Sequence, residues 1–329
     1  MRIGHALLAA TLTAIALTVV LTSPATNATA AGANATTARG AEAAIARHTT
    51  TREIRFDPGT VDAAPPKPDV RTTTFKSEAL GRAMPYSVYL PPDYATTSAR
   101  YPVLYMLHGM SGTNDEWRGY GIFDRADQMI RAGQMRPLII VLPQGDKAYW
   151  VDHALSTDRE AWGRYMAKDV VAEVDARFRT LATASERAIG GVSMGAHGAI
   201  QIAMNYPGTF SVVGAHSLVL RRYDTAPAYF GSQADWAKRD PMQLAYAKPD
   251  GLRRLDLWID IGKDDPWAKL AEQFHGELTT LSVRHQWHEW SGDHSASYWR
   301  AHLAEYLRFY DTALGSHDEP AVAESYRLL

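Results

Sequence analysis

The chain of 329 residues contains no cysteine. This absence excludes disulfides, a thiolate nucleophile and lipid attachment through a cysteine side chain. There is also no long run of Lys or Arg, and the formal net charge is -2. Nothing in the sequence therefore indicates a nucleic-acid partner or a polybasic membrane anchor. Hydrophobic residues make up 46% of the chain and charged residues 21%, so a chain of this length can bury a large core without disulfides.

A long apolar stretch lies near the N-terminus. Arg2 precedes an apolar segment at residues 6–21, and residues 28–30 read Ala-Thr-Ala, a small-residue cleavage pattern. The apolar segment is shorter than a comfortable membrane span. We therefore predict a signal peptide over residues 1–30 and a secreted or cell-surface protein with no stable membrane insertion after cleavage. An uncleaved membrane anchor is the alternative.

The composition changes again after the predicted signal peptide. Residues 31–70 are rich in Ala, Thr and Pro, which indicates a flexible linker. Residues 71–312 have the patterns of a folded catalytic domain, and residues 313–329 are predicted to form a loose C-terminal tail. Within the domain, residues 217–254 are rich in Tyr, Trp, Pro and Asp and are predicted to form a peripheral insertion over the functional site.

Short apolar runs bounded by turn residues recur through the predicted domain. Such runs are typical of strands that are buried on both faces of a parallel sheet. Between them lie amphipathic segments, such as Trp162 to Phe178, where an apolar residue recurs every four positions. This alternation predicts an α/β fold with a mostly parallel central sheet and helices on both faces. The predicted strands cover residues 86–90, 103–107, 138–142, 188–189, 211–215 and 255–261.

Gly191, Ser193 and Gly195 form the motif G-x-S-x-G. The motif follows an apolar run that ends at Ile189 and precedes a helix-like stretch at residues 196–206. A serine at a sharp strand-to-helix turn is raised above the sheet, and it needs small neighbours where strand and helix crowd together. We therefore predict that Ser193 is a nucleophile. The alternative is a glycine-rich turn that only packs tightly.

An oxyanion formed at Ser193 would need two hydrogen-bond donors. The Met194 amide is the first donor, because it opens the helix that follows the serine. The second donor in such folds comes from the loop after an earlier strand, and the amide of Met110 in His108-Gly109-Met110 is the candidate. His108 itself precedes the serine, so we predict a structural role for it.

The general base is expected after the serine and after the acid. His294 lies in a short glycine-containing loop between a strand-like run and the C-terminal helix. Two of its competitors, His285 and His288, are three residues apart on an apparent strand, so they face opposite sides and cannot share a metal. We predict His294 as the base. The other competing histidines are His275 and His302, which fall in helical patterns and are expected at the surface or in packing.

The acid must orient the base and stabilise its charged form. Asp265 lies in the loop that follows the strand-like run 255–261 and turns at Gly262. Asp264 is one residue away. If the predicted loop were shifted by one position, Asp264 would take the place of Asp265 as the acid. Asp260 is still on the strand and is expected to face inward or toward a neighbour. Asp265 is the predicted acid, with Asp264 as the alternative.

At these residues the sequence resembles the esterase family of α/β-hydrolases that includes esterase D (S-formylglutathione hydrolase), feruloyl esterases and cell-wall mycolyltransferases. The resemblance covers about residues 75–310. It implies the α/β-hydrolase fold and no cofactor or metal, and it implies Asp265 as the acid and Met110 as the second oxyanion donor. S-formylglutathione hydrolases are usually cytosolic with a reactive cysteine, and this chain has neither feature. The matching segments are residues 89–94, 107–110, 191–195, 262–265 and 292–294 followed by Tyr298 and Trp299.

Together these patterns predict a serine esterase that hydrolyses a carboxylic ester through a Ser-His-Asp triad and an acyl-enzyme. The predicted partner is a small-molecule, glycan or lipid ester substrate. One alternative is an acyltransferase that passes the acyl group to a sugar or lipid alcohol. Another is a non-catalytic cell-surface binding protein on the same fold.

Overall fold

The computed structural model describes residues 67–155, 157 and 159–315. The predicted signal peptide over residues 1–30 and nearly all of the predicted linker lie outside the described residues, so both stay predictions.

Eight strands form one sheet. Its strand order is β1-β2-β4-β3-β5-β6-β7-β8. Strands β1 and β2 pair antiparallel with each other, and β2 pairs antiparallel with β4. The other six strands run parallel, which agrees with the predicted mostly parallel sheet. The strands are β1 Asp69–Lys76, β2 Ala83–Leu90, β3 Val103–Leu107, β4 Ile139–Pro143, β5 Arg187–Val192, β6 Val212–His216, β7 Asp256–Gly262 and β8 Gln286–Trp290.

The helices follow the strands in the alternation that the sequence indicates. They are α1 Glu116–Tyr120, α2 Ile122–Arg131, α3 Trp162–Arg164, α4 Val171–Arg177, α5 Met194–Asn205, α6 Gln233–Ala237, α7 Pro241–Ala247, α8 Pro249–Leu252, α9 Ala268–Thr280, α10 Ala296–Ala301 and α11 Leu303–Gly315. The predicted insertion at residues 217–254 thus contains three short helices, α6 to α8.

A π-helical segment, Tyr165–Val170, joins α3 to α4. The sequence places apolar residues four apart from Trp162 to Phe178, whereas an α-helix turns once in 3.6 residues, so each step of four drifts by about 40°. The wider π turn, with i→i+5 hydrogen bonds, reduces this drift. All five residues of the stripe (Trp162, Met166, Val170, Val174 and Phe178) are buried.

The sheet lies between two layers of helices. Side chains alternate along β3: Val103 and Tyr105 belong to one core cluster, and Leu104 and Met106 to the other. The first cluster also holds the buried faces of α5 and α9, and the second those of α2 and α11. The chain therefore has the predicted α/β-hydrolase architecture, with helices on both faces of the sheet.

Two predicted boundaries differ from the structure. Strand β1 begins at Asp69, so its first two residues lie in the segment that was predicted as linker. The strand extends this far because Asp69 pairs with Leu90 in the antiparallel register of β1 and β2. Helix α11 continues to Gly315, whereas the tail was predicted to begin at residue 313. The predicted start of the tail at 313–329 is therefore three residues too early. Ala313 and Leu314 are buried against the second core cluster, and this packing extends the helix.

Within the described residues, none of the helices combines the length and the apolar character that crossing a bilayer would require.

Candidate active site

Ser193 lies at the turn between β5 and α5. Its backbone has φ 58° and ψ -115°, a left-handed conformation that L-residues rarely adopt. The Ser193 amide donates to the carbonyl of His216 at the end of β6, at 2.9 Å. This bond ties the turn to the neighbouring strand. A strained backbone persists where the surrounding structure fixes it, and such positions cluster at functional sites.

Two glycines make this turn possible. A Cβ on Gly191 would lie 2.4 Å from the carbonyl carbon of Gly195, and a Cβ on Gly195 would lie 2.4 Å from the carbonyl oxygen of Leu107. Strand and helix therefore approach each other too closely for any side chain at these positions. The crowding accounts for both glycines of the G-x-S-x-G motif.

Three predicted side chains meet above the sheet. The Ser193 hydroxyl donates to His294 Nε2 at 2.9 Å, and His294 Nδ1 donates to Asp265 Oδ2 at 2.7 Å. A carboxylate only accepts hydrogen bonds, so the ring proton belongs on Nδ1 and leaves Nε2 free to accept from the serine. The Asp265 side chain is fully buried, whereas His294 remains partly exposed. This arrangement can remove a proton from Ser193.

The loops that carry the acid and the base are packed together. The amides of Lys263 and Asp264 donate to the carbonyls of Trp290 and Gly292, at 2.8 and 2.9 Å. These bonds continue the β7–β8 ladder beyond the strand ends. Asp264 has an exposed side chain, and the hydrogen bond from His294 goes to Asp265.

The predicted oxyanion donors belong to two segments that adjoin Ser193. Met194 is buried and opens α5, so its amide belongs to the first turn, where amides have no intrahelical acceptor. Met110 follows Gly109 in the loop after β3, and a Cβ on Gly109 would lie 3.6 Å from the Ser193 Cβ. The loop of Met110 therefore runs beside the serine.

His108 and Glu116 hold that loop. His108 Nε2 accepts from the Gly145 amide at 2.8 Å, and Nδ1 donates to the Gly109 carbonyl at 2.7 Å. Burial lowers the pKa of His108, which favours the neutral ring that this pattern requires. The Glu116 carboxylate accepts from the Gly109 amide at 2.6 Å. His108 thus has the predicted structural environment, whereas Glu116 had no signal in the sequence.

The competing histidines lie elsewhere. His275 Nδ1 is 2.7 Å from His285 Nε2, and His275 stacks on Trp287. His288 stacks on Trp258 and on Trp290, at centroid distances of 3.8 and 5.0 Å, on the other face of β8. In the part of the chain that the structure describes, no group of three or more His, Cys, Asp or Glu side chains is arranged to hold a metal ion.

Asp260 is the centre of a buried network beneath the site. Its carboxylate is fully buried and accepts from His216 Nδ1 and Trp258 Nε1, both at 2.7 Å. The hydroxyls of Tyr298 and Tyr306 donate to its other oxygen at 3.0 and 2.9 Å. Burial and the nearby Asp260 charge raise the pKa of both tyrosines, which keeps them protonated as donors. Asp260 therefore faces inward, as predicted, and joins β6, β7 and the helices after the base.

Replacing Asp260 with Asn should lower the free energy of unfolding by about 3 kcal/mol, because it removes a buried charge that four donors solvate. Urea unfolding followed by tryptophan fluorescence measures this change. The exposed Asp264→Asn is the control and should stay within about 0.5 kcal/mol of the parent chain. A loss below about 1 kcal/mol for Asp260→Asn would contradict a structural role for the network.

Buried aromatic residues pack against the segments that carry the site. Tyr149 and Trp150 are consecutive, buried, and both in the left-handed region, with φ 52° and 57°. Trp150 donates through Nε1 to the His108 carbonyl at 3.3 Å. The Trp299 ring contacts the His294 ring edge-on, with 5.3 Å between the ring centroids. Its Nε1 donates to the Ser217 hydroxyl at 2.9 Å. These contacts hold the base and the oxyanion loop in place, and the sequence did not indicate them.

Comparisons with known proteins agree with this architecture. Residues 77–310 match the family model described as "Putative esterase". Esterase Rv1288 of Mycobacterium tuberculosis is 34% identical over 258 residues, which cover 67% of this chain and 54% of the relative. The chain therefore spans about half the length of the curated relatives it matches.

Two solved structures share the fold. A ferulic acid esterase superposes with a TM-score of 0.68 at 23% identity, covering 75% of this chain and 99% of its own. An S-formylglutathione hydrolase from Staphylococcus aureus superposes with a TM-score of 0.62 at 21% identity, covering 74% of this chain and 99% of its own. Similarity at this level of identity establishes the common fold.

Proposed function

Because the chain belongs to the Putative esterase family, we propose that it hydrolyses carboxylic esters through an acyl-enzyme formed on Ser193. The observation that carries this proposal is the continuous hydrogen-bond relay from Asp265 through His294 to Ser193. Its geometry matches the distances required between a nucleophile, its base and the group that orients the base.

The first half of the reaction forms the acyl-enzyme. Ser193 Oγ attacks the ester carbonyl while His294 Nε2 takes the hydroxyl proton. The imidazolium is stabilised by the buried Asp265 carboxylate. The amides of Met194 and Met110 donate to the oxyanion of the tetrahedral intermediate. His294 then protonates the leaving alcohol, and the carbonyl is restored on Ser193.

The second half releases the acid. A water molecule gives a proton to His294 and attacks the acyl carbon, and Ser193 recovers its proton as the bond to its oxygen breaks. An alcohol in the place of water would give acyl transfer instead. The partly exposed edge of His294 supports access for water.

Ester hydrolysis is tested with p-nitrophenyl esters of graded acyl length, together with a feruloyl ester and an acetylated sugar. The feruloyl ester is included because one structural neighbour is a ferulic acid esterase. We expect hydrolysis of at least one of these esters. Product analysis with and without glycerol or trehalose separates the two reactions. We expect free acid as the main product, and a predominant acylated alcohol would favour the acyltransferase.

A further inference from the structure

Arg221 and Arg222 lie in the connection between β6 and β7, and their electrostatic environments differ. Arg222 pairs with Asp224 at 2.6 Å. Among the residues that the structure describes, Arg221 has no carboxylate partner; its Nε donates to the Tyr149 hydroxyl. A guanidinium carries five N–H donors, so four of those on Arg221 remain for another acceptor.

Two aromatic rings hold the Arg221 side chain. Its guanidinium carbon lies 4.5 Å from the centroid of Trp267 and 5.3 Å from that of Tyr149. Such contacts limit the motion of the side chain and leave the planar edge of the guanidinium as the free donor surface. An arginine with a structural role usually forms an ion pair with a carboxylate. A guanidinium that is held in place without such a partner is suited to bind an anionic ligand.

Both rings are connected to segments that carry the site. The Trp267 amide donates to Asp265 Oδ1 at 2.9 Å, so Trp267 is part of the acid loop. The Tyr149 ring contacts His197 edge-on at 5.1 Å, and His197 is one helical turn after Ser193 in α5. Arg221 therefore contacts one residue of the acid loop and one residue that packs on the first turn of α5.

A cavity of about 510 Å³ opens beside Arg221. This volume is suitable for part of a small ligand. The acidic residues at the cavity are already engaged, because Asp224 pairs with Arg222 and Asp240 caps α7 by accepting the Gln243 amide at 3.0 Å. The lining is otherwise largely apolar and includes Leu220, Trp236, Met242 and Leu270.

We propose that Arg221 forms an anion-binding subsite, and that the preferred ester carries a carboxylate group, which the planar guanidinium can bind through two parallel hydrogen bonds. This inference rests on the proposed ester hydrolysis and adds a class of substrate to it. The apolar lining of the cavity would hold the carbon chain that separates the carboxylate from the ester.

Two matched pairs of esters test the subsite and locate the charge. Mono-p-nitrophenyl succinate and p-nitrophenyl valerate differ in charge on the acyl side, and 4-acetoxybenzoate and 4-acetoxybenzamide differ on the alcohol side. For each pair, the preference for charge is the kcat/KM of the anionic ester divided by that of the neutral ester. We expect Arg221→Gln to lower this ratio about tenfold in one of the two pairs. The loss should come mainly from a higher KM for the anionic ester. Arg221→Lys, which keeps the charge but loses the planar fork, should fall in between.

Arg308→Gln is the control, because it also removes one positive charge, but from an arginine that pairs with Glu305 on α11 and does not line the cavity. Its ratio should stay within about twofold of the parent chain. Unchanged ratios for Arg221→Gln in both pairs would overturn the subsite while leaving ester hydrolysis intact. An equal loss for Arg308→Gln would also overturn it, since the effect would then come from net charge. If none of the four esters is cleaved while an ester of the first panel is, the subsite fails and ester hydrolysis stands. If no ester of either panel is cleaved, the proposed function fails.

Discussion

Replacing Ser193 with Ala should lower kcat for p-nitrophenyl ester hydrolysis by roughly 10⁴-fold to 10⁶-fold. The variant keeps the oxyanion amides and the base but has no atom that can form the acyl-enzyme, so only the slow background reaction remains. Stopped assays with p-nitrophenyl butyrate at saturating substrate measure the loss.

The fold of Ser193→Ala should be retained, because Ala has the same Cβ in the left-handed turn and the crowding at Gly191 and Gly195 is unchanged. Thermal unfolding checks this. Ser211→Ala is a matched control at the opposite end of the neighbouring strand, where the hydroxyl donates to the Ser185 carbonyl at 3.3 Å. Its kcat should stay within about twofold of the parent chain. Comparable losses for the two variants would contradict a nucleophilic role for Ser193.

Replacing Asp265 with Asn should lower kcat about 10³-fold to 10⁴-fold. The amide cannot stabilise the imidazolium of His294, and it can hold the ring in the tautomer that no longer accepts from Ser193. The parent and variant are compared by kcat/KM for the same ester. Because the Asp265 carboxylate also accepts from the Trp267 amide, unfolding is measured in parallel to separate catalysis from stability.

Asp264→Asn is the control for this experiment, since its side chain is exposed and one residue away. Its kcat/KM should change by no more than about twofold. The reverse result, a large loss for Asp264→Asn and a small one for Asp265→Asn, would exchange the roles of the two carboxylates.

The architecture and the meeting of Ser193, His294 and Asp265 were accessible from the sequence because each depends on local order along the chain. Buried parallel strands appear as short apolar runs, and the strand-to-helix turn appears as the spacing of its glycines. The base and acid follow the serine in a fixed order, each in a loop after a strand. These signals require no knowledge of which distant residues touch.

Other features depend on contacts between residues far apart in sequence. The Asp260 network joins His216 to Tyr306 across 90 residues. Arg221 reaches Tyr149 across 72 residues. No periodicity or motif encodes such pairs. The extension of α11 to Gly315 has the same cause, because burial against the core determines where that helix ends.

The identity of the residue that a fluorophosphonate modifies shows whether Ser193 is the activated nucleophile. The probe reacts with an activated serine hydroxyl to form a stable phosphonyl ester, so digestion and mass spectrometry can locate the adduct. We expect one adduct per chain, on Ser193, with labelling that is greatly slowed in Asp265→Asn and unchanged in Asp264→Asn. An adduct on another residue, or an unmodified Ser193 in a folded chain that cleaves esters, would contradict it.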